Sequence, residues 1–187
     1  MYDVAVIGGG PAGASAALFT AKAGKSTLVI DSDQSVTKRA WVENHYGVDG
    51  IAGPDLVAIG KGQAVKFGAE FVTAKAARLT AGDGFITIET DGEIYEAGHV
   101  ILATGLFVEV AEASGVRTKP GTEPRIKTIV ECTPEGKTSI DNIWAAGTAA
   151  GVSMHTIITA GDGAKVAINV ISEINGERYV DHDVLKS

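Results

Sequence analysis

The 187-residue sequence contains one cysteine, Cys132. A lone thiol can form no internal disulfide, no CxxC dithiol and no thiolate metal cage. The four histidines, His45, His99, His155 and His182, are scattered without ligand spacing, so no metal site is expected. No apolar run approaches the ~18 residues of a membrane span, and no membrane association is expected. Basic residues are outnumbered, 16 Lys and Arg against 23 Asp and Glu, which leaves a net charge of −7. With no basic patch, nucleic acid is excluded as a main partner. The opening residues, Met1 to Ile7, show no cationic leader and no cleavage site, so a cytoplasmic protein is expected.

Glycine, by contrast, is abundant: 24 of 187 residues, with only five prolines. That is about 13% glycine against a usual ~7%, with no G-X-Y period, which excludes collagen and Pro/Gly-rich disorder. The length suits one domain with a sizeable core. We place that domain at residues 1–178, followed by a tail over 179–187.

The chain opens with a buried strand over residues 2–7 that ends in Gly8. Pro11 suits the first position of a helix. Ala12 to Ala23 form a small-residue helix closed by Gly24, and Thr27–Ile30 form a second strand ending at Asp31. This is one βαβ unit. Residues 32–52 are polar and irregular, and Pro54–Phe67 form a second helix. Glu70–Thr80, Phe85–Thr90 and Glu93–Ala97, separated by glycine turns, read as a three-stranded antiparallel meander. His99–Ala103 is a buried strand, residues 111–142 are loop-rich, Ile143–Ala146 is a last strand, and Thr156–Ile174 is a final helix.

Gly8-Gly9-Gly10-Pro11-Ala12-Gly13 fits G-x-G-x-x-G between a strand and a helix, with Asp31 at the end of the following strand. That is the context a dinucleotide fingerprint requires. Gly8 permits the turn, Gly10 lets a pyrophosphate approach the backbone, and Gly13 lets helix and strand pack closely. The helix start at Pro11 and Ala12 offers free amides and partial positive charge. Asp31 is placed to accept hydrogen bonds from a ribose diol; Asp33 reads as solvated. The competing reading is a plain glycine-rich turn.

Several segments occur in a telling order: Val4 to Gly13, Glu43-Asn44-x-x-Gly47, Ala103-Thr104-Gly105, Ile143 to Gly147, and Ala160-Gly161-Asp162-Gly163-Ala164. Together they resemble the FAD domain of the thioredoxin reductase family of pyridine nucleotide-disulfide oxidoreductases, over residues 1 to about 175. The resemblance implies an α/β fold: a three-layer Rossmann-like FAD-binding domain with a parallel sheet plus a three-stranded antiparallel meander. It implies FAD as cofactor, with Gly8, Gly10, Pro11, Ala12, Gly13, Asp31, Asn44, Ala103, Thr104, Gly105, Gly147, Thr148, His155 and Thr156 as binding residues.

The family carries an inserted NAD(P)H domain and a CxxC pair after its Ala-Thr-Gly. Here only Leu106 to Asn142 separate Gly105 from the final strand, with neither feature. NAD(P)H is therefore expected only as an external donor. The resemblance implies an oxidoreductase component that needs a partner reductase or an electron acceptor, not a self-sufficient thioredoxin reductase. A non-catalytic module binding FAD, NAD or ADP, or a subunit of a partner with the missing domain, is the alternative.

Thr148 stands where the family has an Asp facing the ribityl chain, which loses a charge-assisted hydrogen bond. His155 stands where the family has Gln, and it is the one candidate catalytic residue, able to shuttle a proton near neutral pH. A helix-cap histidine without a role is the competing reading. Lys38 and Arg39 are either phosphate contacts or solvated cations. Trp41 reads more readily as a buried core residue than as a stacking platform. Cys132 reads as inert. Apolar surface left by the missing domain implies a homo-oligomer.

Overall fold

The computed structural model describes residues 1–185. Its elements, in chain order, are β1 (Tyr2–Ile7), α1 (Pro11–Lys22), β2 (Thr27–Asp31), β3 (Trp41–Val42), β4 (Ile51–Ala52), α2 (Gly53–Lys66) and β5 (Glu70–Thr73). There follow β6 (Ala76–Ala81), β7 (Ile86–Thr90), β8 (Ile94–Leu102), α3 (Glu109–Ala113), β9 (Thr118–Pro120), β10 (Thr128–Val130), β11 (Ile143–Ala145) and α4 (Thr156–Asn175).

The main sheet runs β5-β2-β1-β8, all parallel. Beyond β1, the far edge of β8 is shared. Its first half, Ile94–Ala97, pairs antiparallel with β7, and its second half, Val100–Leu102, pairs parallel with β11. Strands covered on both faces should be apolar on both, and β1 shows this. Val4 and Val6 face a core built from α1, α4 and Trp144. Ala5 and Ile7 face a second core containing Leu79, Ile86 and Ile88 of the meander, Val110 of α3 and Val130 of β10. Helices, parallel sheet and meander are thus three layers, as the sequence resemblance implies.

Two strand assignments from the sequence need correction. Residues 70–80 form two strands, not one. After β5 the Ala74 N–H donates to the Asp31 carbonyl, and the Lys75 N–H donates to Asp91 Oδ1 at 2.9 Å. These bonds turn the chain out of the parallel sheet and into the meander. Conversely, Glu93–Ala97 and His99–Ala103 belong to a single strand, β8. Gly98 does not break it; a Cβ there would lie 3.2 Å from the Asp3 carbonyl oxygen, so the glycine permits close approach of β1. The meander is therefore β6, β7 and the start of β8.

The segment expected to be loop-rich carries α3 and the β9–β10 hairpin. Trp41, expected in the core, is 66% exposed, and its indole N–H donates to Glu43 Oε1 at 2.8 Å. It belongs to a two-residue strand outside the main sheet, where no core is available to bury it. Of the expected tail, Asp181 and Asp183 fold back onto Lys22 of α1, at 3.0 and 2.5 Å; residues 186 and 187 lie outside the described residues. Among the described residues, no helix is long and apolar enough to cross a membrane.

Candidate functional site

The strand order places the C-terminal ends of β5, β2, β1, β8 and β11 side by side. With strands ~4.8 Å apart, that edge is about 19 Å long. A cleft follows it. Ala74, Lys75 and Ala76 line one end; Asp31 comes next, then Gly8, Gly9, Gly10, Pro11 and Ala12, then Ala103, Thr104 and Gly105. Ala146, Thr148, Met154 and Thr159 line the other end. A cleft outside the carboxyl ends of parallel strands is where open α/β sheets bind ligands.

The middle of the cleft stays open because side chains are missing there. At Gly8, φ is +106°, and a Cβ would sit 2.5 Å from the Ala103 carbonyl oxygen. A Cβ on Gly9 would sit 2.5 Å from Asp31 Oδ2, and one on Gly10 would sit 3.0 Å from Ser35 Oγ. Gly9 occupies a variable position of the fingerprint and the sequence reading did not single it out. Its missing side chain is what lets the Asp31 carboxylate lie against the turn. Asp31 Oδ1 accepts the Asp33 N–H at 3.1 Å.

Gly10 is the N-cap of α1 and makes no side-chain capping bond. The amides of Ala12 and Gly13 thus lie in the helix's first turn, where intrahelical partners are absent, and give the cleft donors and partial positive charge. An acid at a strand end, an uncapped helix start and a glycine-lined wall together match a dinucleotide: ribose, pyrophosphate and the room for both. The donor set fits FAD.

Gly13 and Gly147 sit one layer behind the wall. A Cβ on Gly13 would meet the Gly8 carbonyl oxygen at 1.9 Å, and one on Gly147 would meet Ala12 Cβ at 2.7 Å. Both glycines let neighbouring elements press against the start of α1. Thr104 Oγ1 donates to the Phe107 carbonyl, which folds Leu106 and Phe107 onto the cleft. Ser35, Val36 and Thr37, in the polar loop after β2, also line it.

Asn44, His155 and Thr156 are not in the cleft wall. They gather beyond Met154 at the start of α4. His155 is the N-cap of α4, and its Nδ1 lies 2.8 Å from Ser153 Oγ. Ser153 Oγ also donates to Glu123 Oε2 at 3.2 Å, so the imidazole Nδ1–H is the donor to Ser153. His45 Nδ1 lies 2.9 Å from Thr156 Oγ1, which ties the Asn44 loop to the helix. Lys38 is held by Asp33, and exposed Arg39 is outside the cleft. Cys132 is half-buried, and burial followed by the nearby Asp162 charge pushes its thiol up, away from the reactive thiolate.

Sequence reading missed two further residues. Thr159 lines the cleft one turn into α4. Asp162 is 9% exposed, and its Oδ2 accepts the Gly147 N–H at 2.8 Å. The signal for Asp162 was its place beside Gly163, where α4 comes closest to Ala12 of α1.

Residues 2–133 match the pyridine nucleotide-disulphide oxidoreductase family. The thioredoxin reductase of Listeria monocytogenes is 39% identical over 108 residues, 56% of this chain and 34% of the relative. That of Aquifex aeolicus is 38% identical over 120 residues, 62% of this chain and 37% of the relative. The chain thus spans about a third of the length of the curated relatives it matches. Among solved structures, a thioredoxin reductase from Gloeobacter violaceus superposes with a TM-score of 0.85 at 16% identity, covering 98% of this chain and 99% of that one. An atypical thioredoxin reductase from Desulfovibrio vulgaris Hildenborough gives 0.84 at 20% identity, covering 95% and 99%. At such identities these two likenesses bear on the fold alone.

Proposed function

The chain belongs to the pyridine nucleotide-disulphide oxidoreductase family, and we propose that it is an FAD-binding flavoprotein serving as one component of an oxidoreductase, with electrons supplied from outside the chain. The observation that carries this reading is the cleft across five strand ends, with an acid on one side of the uncapped α1 start and Thr148 on the other. A mononucleotide would leave part of that edge unused.

The first amides of α1 bind the pyrophosphate, and Asp31 accepts the hydroxyls of the adenosine ribose. Thr148 Oγ1 hydrogen-bonds the ribityl chain. Met154, which lines that end of the cleft, and Asn44 beyond it would hold the flavin. The N-terminus of α4 stabilises negative charge there, and Thr156 belongs to that helix start. His155 is engaged by Ser153 through Nδ1, so Nε2 is the ring nitrogen left free to contact a ligand. FAD, when bound, supplies the electron-carrying chemistry.

With one cysteine, the chain by itself has no dithiol, and thioredoxin reductase activity is expected at background. NADH, NADPH or a partner reductase is the donor, and a small acceptor or partner protein takes the electrons. The exposed Trp41, Tyr46, Met154 and Ile158 favour self-association or partner docking. Anaerobic addition of NADH, NADPH or a flavodoxin-type reductase to the flavin-loaded protein tests the redox role. Bleaching of the flavin band by at least one of them is expected; bound flavin that none of them reduces would refute it.

The non-catalytic alternative rests on Thr148, which offers the ribityl end only a neutral hydroxyl. A colourless protein that binds ADP or NAD but not FAD would favour it.

A further inference from the structure

We propose that Asp162 is a positioning residue for the flavin half of the cleft, acting through the Gly147 backbone amide. The inference rests on the FAD reading above. The Asp162 carboxylate is inside the protein, its side chain 8% exposed, on α4 next to Gly163. Oδ2 accepts the Gly147 N–H at 2.8 Å, and Oδ1 pairs with Lys165 at 2.5 Å. Gly147 opens the short turn that carries Thr148 into the cleft.

The flanks of that turn are held by backbone bonds, Ala146 N–H to the Leu102 carbonyl and Gly151 N–H to the Thr148 carbonyl, while the Gly147 N–H is held by Asp162. Gly147 has φ +72° and no side chain, and a Cβ there would meet Ala12 at 2.7 Å. The next residue of α4, Gly163, comes so close to α1 that a Cβ would sit 2.0 Å from the Ala12 carbonyl oxygen. Asp162 therefore stands where α1, α4 and the Gly147 turn converge. Its carboxylate is the charged acceptor that ties the turn to α4 beside α1, and charge-assisted bonds of this kind are the stronger class. Asp31 and the Gly8–Gly10 turn, which serve the ADP half, are held by other contacts. Loss of the Asp162 bond thus frees Thr148 and leaves the ADP half in place.

FAD and ADP affinities of the wild type, Asp162→Asn, Asp162→Ala and Asp162→Ser separate this from a general structural role. Asn keeps an oxygen for the Gly147 amide; Ala has none and Ser is too short to reach it. FAD binding is expected to weaken tenfold or more in Asp162→Ala and Asp162→Ser, ADP binding to stay within about twofold, and Asp162→Asn to stay within about threefold of wild type for both. Equal losses for FAD and ADP, or no loss of FAD affinity, would overturn the proposal while leaving the FAD reading intact. So would loss in Asp162→Asn equal to that in Asp162→Ala. A wild-type protein that takes up no FAD overturns the reading and the proposal together. Slow exchange of the Gly147 amide in the wild type is expected, and needs no variant; an unprotected amide would overturn the proposal even where Ala and Ser fail to fold.

Discussion

Two alanine substitutions in α4, two residues apart, should change stability in opposite directions. Gly161 and Gly163 are both interior to the helix, so alanine at either restores about 1 kcal/mol of helix propensity. At Gly161, which is exposed, an added Cβ meets nothing within 4 Å. At Gly163 it would sit 2.0 Å from the Ala12 carbonyl oxygen and 2.8 Å from its carbon. Those atoms are backbone and cannot swing aside, so the overpacking cost lies near the upper end of its usual range, about 3 kcal/mol. Subtracting the propensity gain leaves Gly163→Ala about 2 kcal/mol less stable and Gly161→Ala about 1 kcal/mol more stable. For a domain of this size, ~1 kcal/mol shifts the melting temperature by roughly 2–4 °C. The variants should therefore melt some 6–12 °C apart by thermal denaturation, with Gly163→Ala lower. Because the displaced group is the first turn of α1, Gly163→Ala should also weaken ADP binding. A Gly163→Ala protein as stable as Gly161→Ala would refute the close α1–α4 approach on which the cleft depends.

Asp31→Asn removes the charged acceptor for the ribose and should weaken ADP roughly ten- to hundredfold by calorimetry. Thr148→Asp adds a carboxylate at the ribityl end and should tighten FAD roughly tenfold with ADP unchanged. His99 is held below the ordinary histidine value of 6.5, first by burial and then by Lys137, although Glu173 and Asp3 pull the other way. Its Nδ1 accepts the Trp144 indole N–H at 3.3 Å. The unfolded chain therefore binds a proton that the folded chain resists, so the His99 contribution is intact above 6.5 and falls as pH drops through 6.5 toward the lower folded value. Urea midpoints at pH 7.5 and 5.5 should differ more for the wild type than for His99→Gln. Sedimentation at micromolar concentration should show a species larger than the monomer.

The βαβ unit was legible because its glycines serve one local purpose. A turn after a strand, an N-cap without a side chain and an acid at the end of the next strand can all be counted along the sequence. Glycines that serve tertiary contacts were harder. Gly98 looks like a strand break and is a close approach, while Gly147, expected among the cofactor-binding residues, makes room for Ala12 of α1 from behind the cleft wall. No spacing rule distinguishes a glycine that makes room for a ligand from one that makes room for a helix. Asp162 was hidden for a related reason. An acid in a helix ordinarily faces water, and only the convergence of α1, α4 and the Gly147 turn buries it. Trp41 erred in the other direction, because its size suggested a core and its short strand pair has none. The Asn44 and His155 region depends on loop contacts between distant segments, such as His45 with Thr156, that a linear reading does not contain.

The most direct test is an FAD titration of the purified protein, followed by its visible spectrum and by calorimetry. One FAD per chain, with a bound flavin spectrum and competition by ADP, is the predicted result. A protein that remains colourless in excess FAD and gives no binding heat with FAD or ADP would contradict the account at its centre.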